Sequence, residues 1–211
     1  ESYFNLENYK EAVTYLKDYK GKKGKWNNTD YYQLGYAYYK QKNYQMAINE
    51  FNKIIDGKNA VAQNAFYHLA DSYIKLDQKQ QALNAFKSAS EMSFSKEIKE
   101  DAWLNYAKLS YQIGNSYQST PEVLLSFIEA YPKNDNNNEL KDLLIDSYIT
   151  SKNFQSALEL LENNKSFQNK LAYQKVTFFR GLELYSEGNY KEGIKIFEKS
   201  LSEPRDSYIT A

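Results

Sequence analysis

Apolar residues recur along this 211-residue chain at helical spacing, in short runs separated by polar turns. In residues 31–51 the first run is Tyr31, Leu34, Gly35 and Tyr38, and the second is Tyr44, Ala47, Ile48 and Phe51. Each run occupies one face of a short amphipathic helix, and the break falls at Asn43. Small residues (Gly35, Ala47) stand where two helices must approach closely, and large ones (Leu34, Tyr38, Tyr44, Phe51) fill the space around them. The pattern predicts a helical hairpin.

The same hairpin recurs. Second-helix pairs of a small and a large residue, four apart, appear as Ala12/Leu16, Ala47/Phe51, Ala82/Phe86, Val123/Phe127, Ala157/Leu161 and Gly193/Phe197. The small members step by 35, 35, 41, 34 and 36 residues, so each hairpin can cover its neighbour in the same way. First helices place Gly35, Ala70, Ala107, Ile145 and Gly181 at the close approach, with Ile145 expected to loosen or shift its helix pair. Asn8, Asn43, Asn153 and Asn189 precede an aromatic anchor at four turns, where asparagine suits a left-handed residue or a cap. At Asp77-Gln78-Lys79 that anchor is missing, which predicts a less firmly held helix start. Ala107 and Val123 are sixteen apart rather than twelve, so four residues are inserted at that turn. Thr120-Pro121-Glu122 then reads as cap, first helical position and dipole partner.

The order aromatic, Leu-Gly, Tyr, polar turn, aromatic, Ala and Phe resembles the tetratricopeptide repeat (TPR), a helix-turn-helix unit of about 34 residues. The resemblance implies an all-α, right-handed TPR superhelix, an α-solenoid of antiparallel helix pairs. Residues 1–211 then form a single array: a partial repeat at 1–19, repeats at 28–61, 63–96, 100–133, 138–170 and 174–204, and the start of another at 205–211. The half-helix at the beginning and the start at 205–211 read as a fragment trimmed from a longer array. The first helices of TPR proteins line a concave groove, and the family's ligand-facing places map here to Tyr32, Tyr36, Tyr39, Lys40, Tyr67, Asp71, Lys75, Leu104, Lys108, Tyr111, Asp142, Asp146, Phe178 and Tyr185. Where chaperone-binding members set a lysine and an asparagine to clamp a terminal carboxylate, this chain has Tyr32 and Tyr36, so that clamp is missing. Stretches such as YYQLGYAYYKQKNYQMAINEF and FFRGLELYSEGNYKEGIKIFEKSL look like the long tandem-TPR proteins of Bacteroidetes cell envelopes. That likeness implies a periplasmic or outer-membrane-associated scaffold. The function expected is display of a curved surface to a protein or peptide partner, with self-association through exposed repeat ends as a further possibility. The alternatives are a glycan- or peptidoglycan-binding module on stacked tyrosines, and a structural spacer with no groove ligand.

Composition narrows the chemistry. Lys plus Arg and Asp plus Glu are both 27, so net charge gives no reason to expect nucleic acid. There is no cysteine, one histidine (His68) and no glycine-rich phosphate loop, which leaves little material for an enzyme, a metal site or a cofactor. His68 reads as a packed or surface residue, and Asp142 with Asp146 as an exposed acidic stripe rather than a carboxylate pair. No apolar run approaches a membrane span. The 21 tyrosines suit many thin, partly wet interfaces better than one dry core. Asp135, Asn137 and Glu139 hint at a calcium loop, but Leu140 and Asp146 stand where its glycine and glutamate belong, so the tract reads as a loop capping the next helix. Lys20 to Trp26, KGKKGKW, reads as a solvated connector, with a phosphate- or lipid-head-group patch as the alternative.

Overall fold

The computed structural model describes residues 2–54, 56–202 and 204–210. Glu1, Ile55, Glu203 and Ala211, which the repeat limits above include, lie outside the described residues. Among the described residues the regular structure is helical, apart from one bridge between Lys22 and Lys25. The chain divides into two compact units, one up to Gly114 and one from Asn115. That division falls in the lengthened turn, where residues 114–119 replace the three-residue turns of the other hairpins.

The first unit contains α1 (Ser2–Asn5), α2 (Tyr9–Asp18), α3 (Asn28–Lys40), α4 (Tyr44–Phe51), α5 (Ala60–Lys75), α6 (Lys79–Glu91) and α7 (Lys96–Ile113). Each helix packs on the next, and α5 also touches α3 and α7. The second unit contains α8 (Thr120–Ala130), α9 (Asn137–Thr150), α10 (Phe154–Asn163), a 3₁₀ turn at Lys165–Phe167, α11 (Lys170–Ser186), α12 (Tyr190–Ser202) and α13 (Ser207–Thr210). Its helices again pack in sequence from α8 to α12, and α9 touches α11.

The small-and-large code explains this packing. Ala47, Phe51, Ala82, Phe86, Val123, Phe127, Ala157 and Leu161 are all buried. A Cβ placed on Gly35 would sit 2.8 Å from the Phe51 ring, and one on Gly181 would sit 2.7 Å from Phe197, so only glycine lets these helix pairs close. A second device is polar. The buried Gln63 amide donates to the carbonyls of Ala89 (3.2 Å), Met92 (3.0 Å) and Ser95 (3.2 Å), and accepts from Ser95 N (2.7 Å). In the second unit Gln174 accepts from Arg205 N and Asp206 N, both at 2.7 Å. Both glutamines tie a first helix to backbone about one repeat further on.

Helix ends differ from the expected pattern in four ways. Left-handed backbone falls one residue before the asparagines, on Glu7, Lys42, Lys152 and Gly188, and before Gln78, on Asp77. Each turn closes by the same double bond, as where Asn43 N reaches Tyr38 O (2.9 Å) and Lys42 N reaches Tyr39 O (2.8 Å). This is the Schellman arrangement, which puts the left-handed residue just after the helix cap. The cap of α8 is Ser119 rather than Thr120; it accepts from Glu122 N while its own N–H reaches the Glu122 carboxylate at 3.1 Å. The loop before α9 is held by Asn137 Nδ2 on Tyr131 O (2.7 Å), and Asn136 makes no side-chain cap. Helices α5, α7 and α11 start three or four residues ahead of positions 63, 100 and 174, because Asn59, Ser95 and Asn169 cap them one turn earlier.

The turns yield a prediction. Three of the five left-handed sites, Glu7, Lys42 and Lys152, carry a side chain that disfavours that conformation. Lys152→Gly is expected to stabilise the second unit by up to about 1 kcal/mol, and Gly188→Ala to destabilise it by a similar amount; thermal midpoints of the two variants check both signs.

Candidate functional site

In the first unit α5 packs against both α3 and α7. Tyr32, Tyr36 and Tyr39 recur at helical spacing on α3, so their side chains share a face. Their rings pack as a file, with centroids 5.8 Å apart from Tyr32 to Tyr36 and 6.0 Å from Tyr36 to Tyr39. His68 of α5 sits against all three, at 6.1, 5.0 and 5.1 Å, and also against Phe51 (6.2 Å) and Tyr67 (5.4 Å). Toward the N-terminus the file continues through Tyr9 and Phe4, at 5.8 and 5.7 Å from Tyr36. The ammonium of Lys40 lies 5.7 Å from the ring centres of both Tyr9 and Tyr36, within cation–π range.

Hydroxyl groups tie this wall to the next repeat. Tyr39 donates to the Asp71 carboxylate at 2.6 Å, and Tyr67 donates to that of Asp101, which also accepts from Asn105 Nδ2 at 3.2 Å. The hydroxyls of Tyr39 and Tyr67 are held well above the usual tyrosine range, first by burial and then by their carboxylate partners. Burial does the same to Tyr32. The result is a stiff, half-buried aromatic wall with two carboxylates fixed in it.

His68 is the group under most electrostatic constraint. Burial lowers its pKa to about 4, with Asp71 opposing and Lys40 assisting the shift, and its Nδ1 is buried without a hydrogen-bond partner. Because the folded pKa lies below the ordinary 6.5, the unfolded chain binds the proton first as acid is added. Stability from this site is complete above about pH 6.5 and is lost as the pH falls toward 4. By about pH 5 the loss is expected to reach about 1–2 kcal/mol. Urea midpoints from neutral to acid pH should show it, and His68→Phe should flatten that limb.

Residues 19–89, within the first unit, match the family model described as "Anaphase-promoting complex, cyclosome, subunit 3". Among curated proteins no sequence match is found. Solved structures similar to the chain include the C-terminal part of a TPR repeat-containing protein from Cytophaga hutchinsonii, at 15% identity and a TM-score of 0.49, covering 94% of this chain and 75% of that one. Another is YrrB, described as a TPR protein with an unusual peptide-binding site, at 12% identity and a TM-score of 0.47, covering 96% and 95%. The recurring hairpins, their glycine-to-phenylalanine contacts and the family match agree. These are helical hairpins of the tetratricopeptide-repeat type.

Along these TPR-type hairpins the groove candidates separate by place. Tyr32, Tyr36, Tyr39 and Tyr67 converge on His68, with Asp71 and Lys40 beside them. Lys75 is exposed in the last turn of α5, while Leu104, Lys108 and Tyr111 are half-buried on α7. In the second unit Asp142 and Asp146 are exposed on α9. Phe178 is packed against Phe179 (5.6 Å) and Phe197 (6.0 Å), whereas Tyr185 is exposed beside Tyr190 (5.1 Å). His68 as the centre of the wall, and Phe4 with Tyr9 as its extension, were not read as groove residues. The available signal was the spacing of Tyr39 to Asp71 and of Tyr67 to Asp101, 32 and 34 residues, which is nearly one repeat.

Proposed function

We propose that this TPR array is a non-enzymatic interaction scaffold that holds a polypeptide segment against the face built by α3, α5 and α7. The observation that carries the reading is the wall around His68, where tyrosines are half-exposed yet fixed by one another and by Asp71 and Asp101. Such a surface binds without first becoming ordered, so little affinity is lost to conformational entropy. The rings of Tyr32, Tyr36 and Tyr39 spend much of their flat faces on each other and on His68, and the Tyr39 and Tyr67 hydroxyls are held by Asp71 and Asp101. That favours a polypeptide over a sugar, which needs an open ring face. The likeness to cell-envelope TPR proteins supports a periplasmic or outer-membrane setting, and fractionation of the source cells tests it.

The binding reading is tested by panning a phage-displayed peptide library on the chain and titrating a selected peptide calorimetrically. Tyr36→Ala/Tyr39→Ala should weaken binding at least about tenfold, the effect of a buried aromatic anchor worth more than about 1.4 kcal/mol. Asp146→Lys, in the second unit, should leave it unchanged. Equal binding by the folded tyrosine variant would move the site off this face.

A further inference from the structure

A connector built from Lys20-Gly-Lys-Lys-Gly-Lys25 should be slack, with its like charges spread apart by solvent. Here the segment is instead a tight hairpin. Lys23 and Gly24 both have positive φ, 56° and 72°, the pair of left-handed residues that a primed two-residue turn requires. Lys25 N donates to Lys22 O and Gly24 N to Gly21 O, each at 3.3 Å, and Lys22 pairs with Lys25 as an antiparallel bridge. At Gly21 a Cβ would fall 2.2 Å from Lys25 O, so the backbone closes only on glycine. The base is pinned by Trp26, whose indole N–H reaches Tyr19 O at 2.8 Å and whose ring packs on Tyr19 (6.1 Å) and Tyr31 (5.1 Å).

This frame holds Lys20, Lys22, Lys23 and Lys25 together, all exposed, and among the described residues none of the four has an ion-pair partner. Residues 17–25 contain five lysines against one aspartate in a chain whose total charge is zero. The geometry points to a docking tip for an anionic lipid surface, a contact separate from the tyrosine wall. The charges are all ammonium groups, which attract without the forked geometry by which arginine grips individual phosphates. A single short turn meets a plane of head groups at its tip, whereas it offers no extended groove to follow a nucleic-acid strand. Tyr19 is exposed beside the tip, an amphipathic ring of the kind enriched at head-group depth. Each lysine near an anionic leaflet contributes about 1 kcal/mol, or about fivefold in affinity.

The test is co-sedimentation of the chain with vesicles of equal parts phosphatidylglycerol and phosphatidylcholine, beside vesicles of phosphatidylcholine alone. At about 0.01 M ionic strength, where charges act over about 30 Å, the chain should bind the anionic vesicles only, and binding should fall steeply by about 0.15 M, where the range is about 8 Å. Lys22→Ser/Lys23→Ser/Lys25→Ser should bind about a hundredfold more weakly. A control with the same charge change at exposed sites elsewhere, Lys42→Ser/Lys58→Ser/Lys79→Ser, should keep most of the binding. The proposal is overturned by equal binding to both vesicle types, by equal losses in the two triple variants, or by tighter retention on an oligonucleotide at matched phosphate concentration.

Discussion

Phe51→Ala is expected to cost about 3–5 kcal/mol, seen as a lowered urea midpoint of the first unit. The ring is fully buried and fills the space that Gly35 leaves open, and it lies 5.9 Å from Tyr32 and 6.2 Å from His68. Removing it therefore undermines the aromatic wall as well as the hairpin, and peptide binding should weaken along with stability. A double-mutant cycle makes the contact specific. Gly35→Ala in the parent protein drives a methyl group to within 2.8 Å of the ring, a clash that outweighs the roughly 1 kcal/mol gained in helix propensity. In the Phe51→Ala background the ring is gone, so the same change should stabilise. Additive effects would mean that Gly35 and Phe51 do not form one packing unit.

Gln63→Met is the second large loss, about 3 kcal/mol. The side chain is fully buried and keeps its length, so the change deletes hydrogen bonds rather than volume. What remains is an unpartnered Ser95 N–H together with carbonyls of Ala89 and Met92 that lose their amide donor. Each buried group left unsatisfied costs about 1–3 kcal/mol. Hydrogen exchange separates this from general loosening, because Ser95 and the first turn of α7 should exchange faster while α3 and α4 keep their protection. A loss below about 0.5 kcal/mol, the range of surface changes, would show that the clasp contributes little.

The repeat itself was legible because its code is local. Ala47 and Phe51 lie one helical turn apart, and their partner Gly35 is only twelve residues upstream of Ala47, so pattern alone places the hairpin. The turns were legible as turns but not in detail. Asparagine suggested the left-handed residue, yet the Schellman hydrogen bonds demand that geometry one position earlier, at Glu7, Lys42 and Lys152, whose side chains give no hint of it. The aromatic candidates on α3 could be named from the family's helix face. The centre of the site could not, because His68 meets Tyr36 only through the stacking of α3 on α5, and nothing within either helix encodes that meeting. The lysine hairpin was obscured for a different reason. Glycine beside lysine reads as flexibility, and only the close approach of Gly21 to Lys25 O reveals that the same residues enforce a shape.

The tyrosine ties also bear on how such an array can change over generations. Asp71 follows Ala70 and Lys108 follows Ala107, so the two occupy the same place in consecutive repeats. Excising the module between them in register would set the Tyr39 hydroxyl opposite an ammonium, which cannot accept its proton, instead of a carboxylate. Duplicating that module would set the second copy of Asp101 opposite Leu104, which holds the place of Tyr67 one repeat on and has no hydroxyl to donate. Although the backbone units look interchangeable, their order is recorded in these cross-boundary pairs. Gains and losses of whole repeats should therefore be accepted only when the adjoining tyrosine or aspartate changes with them.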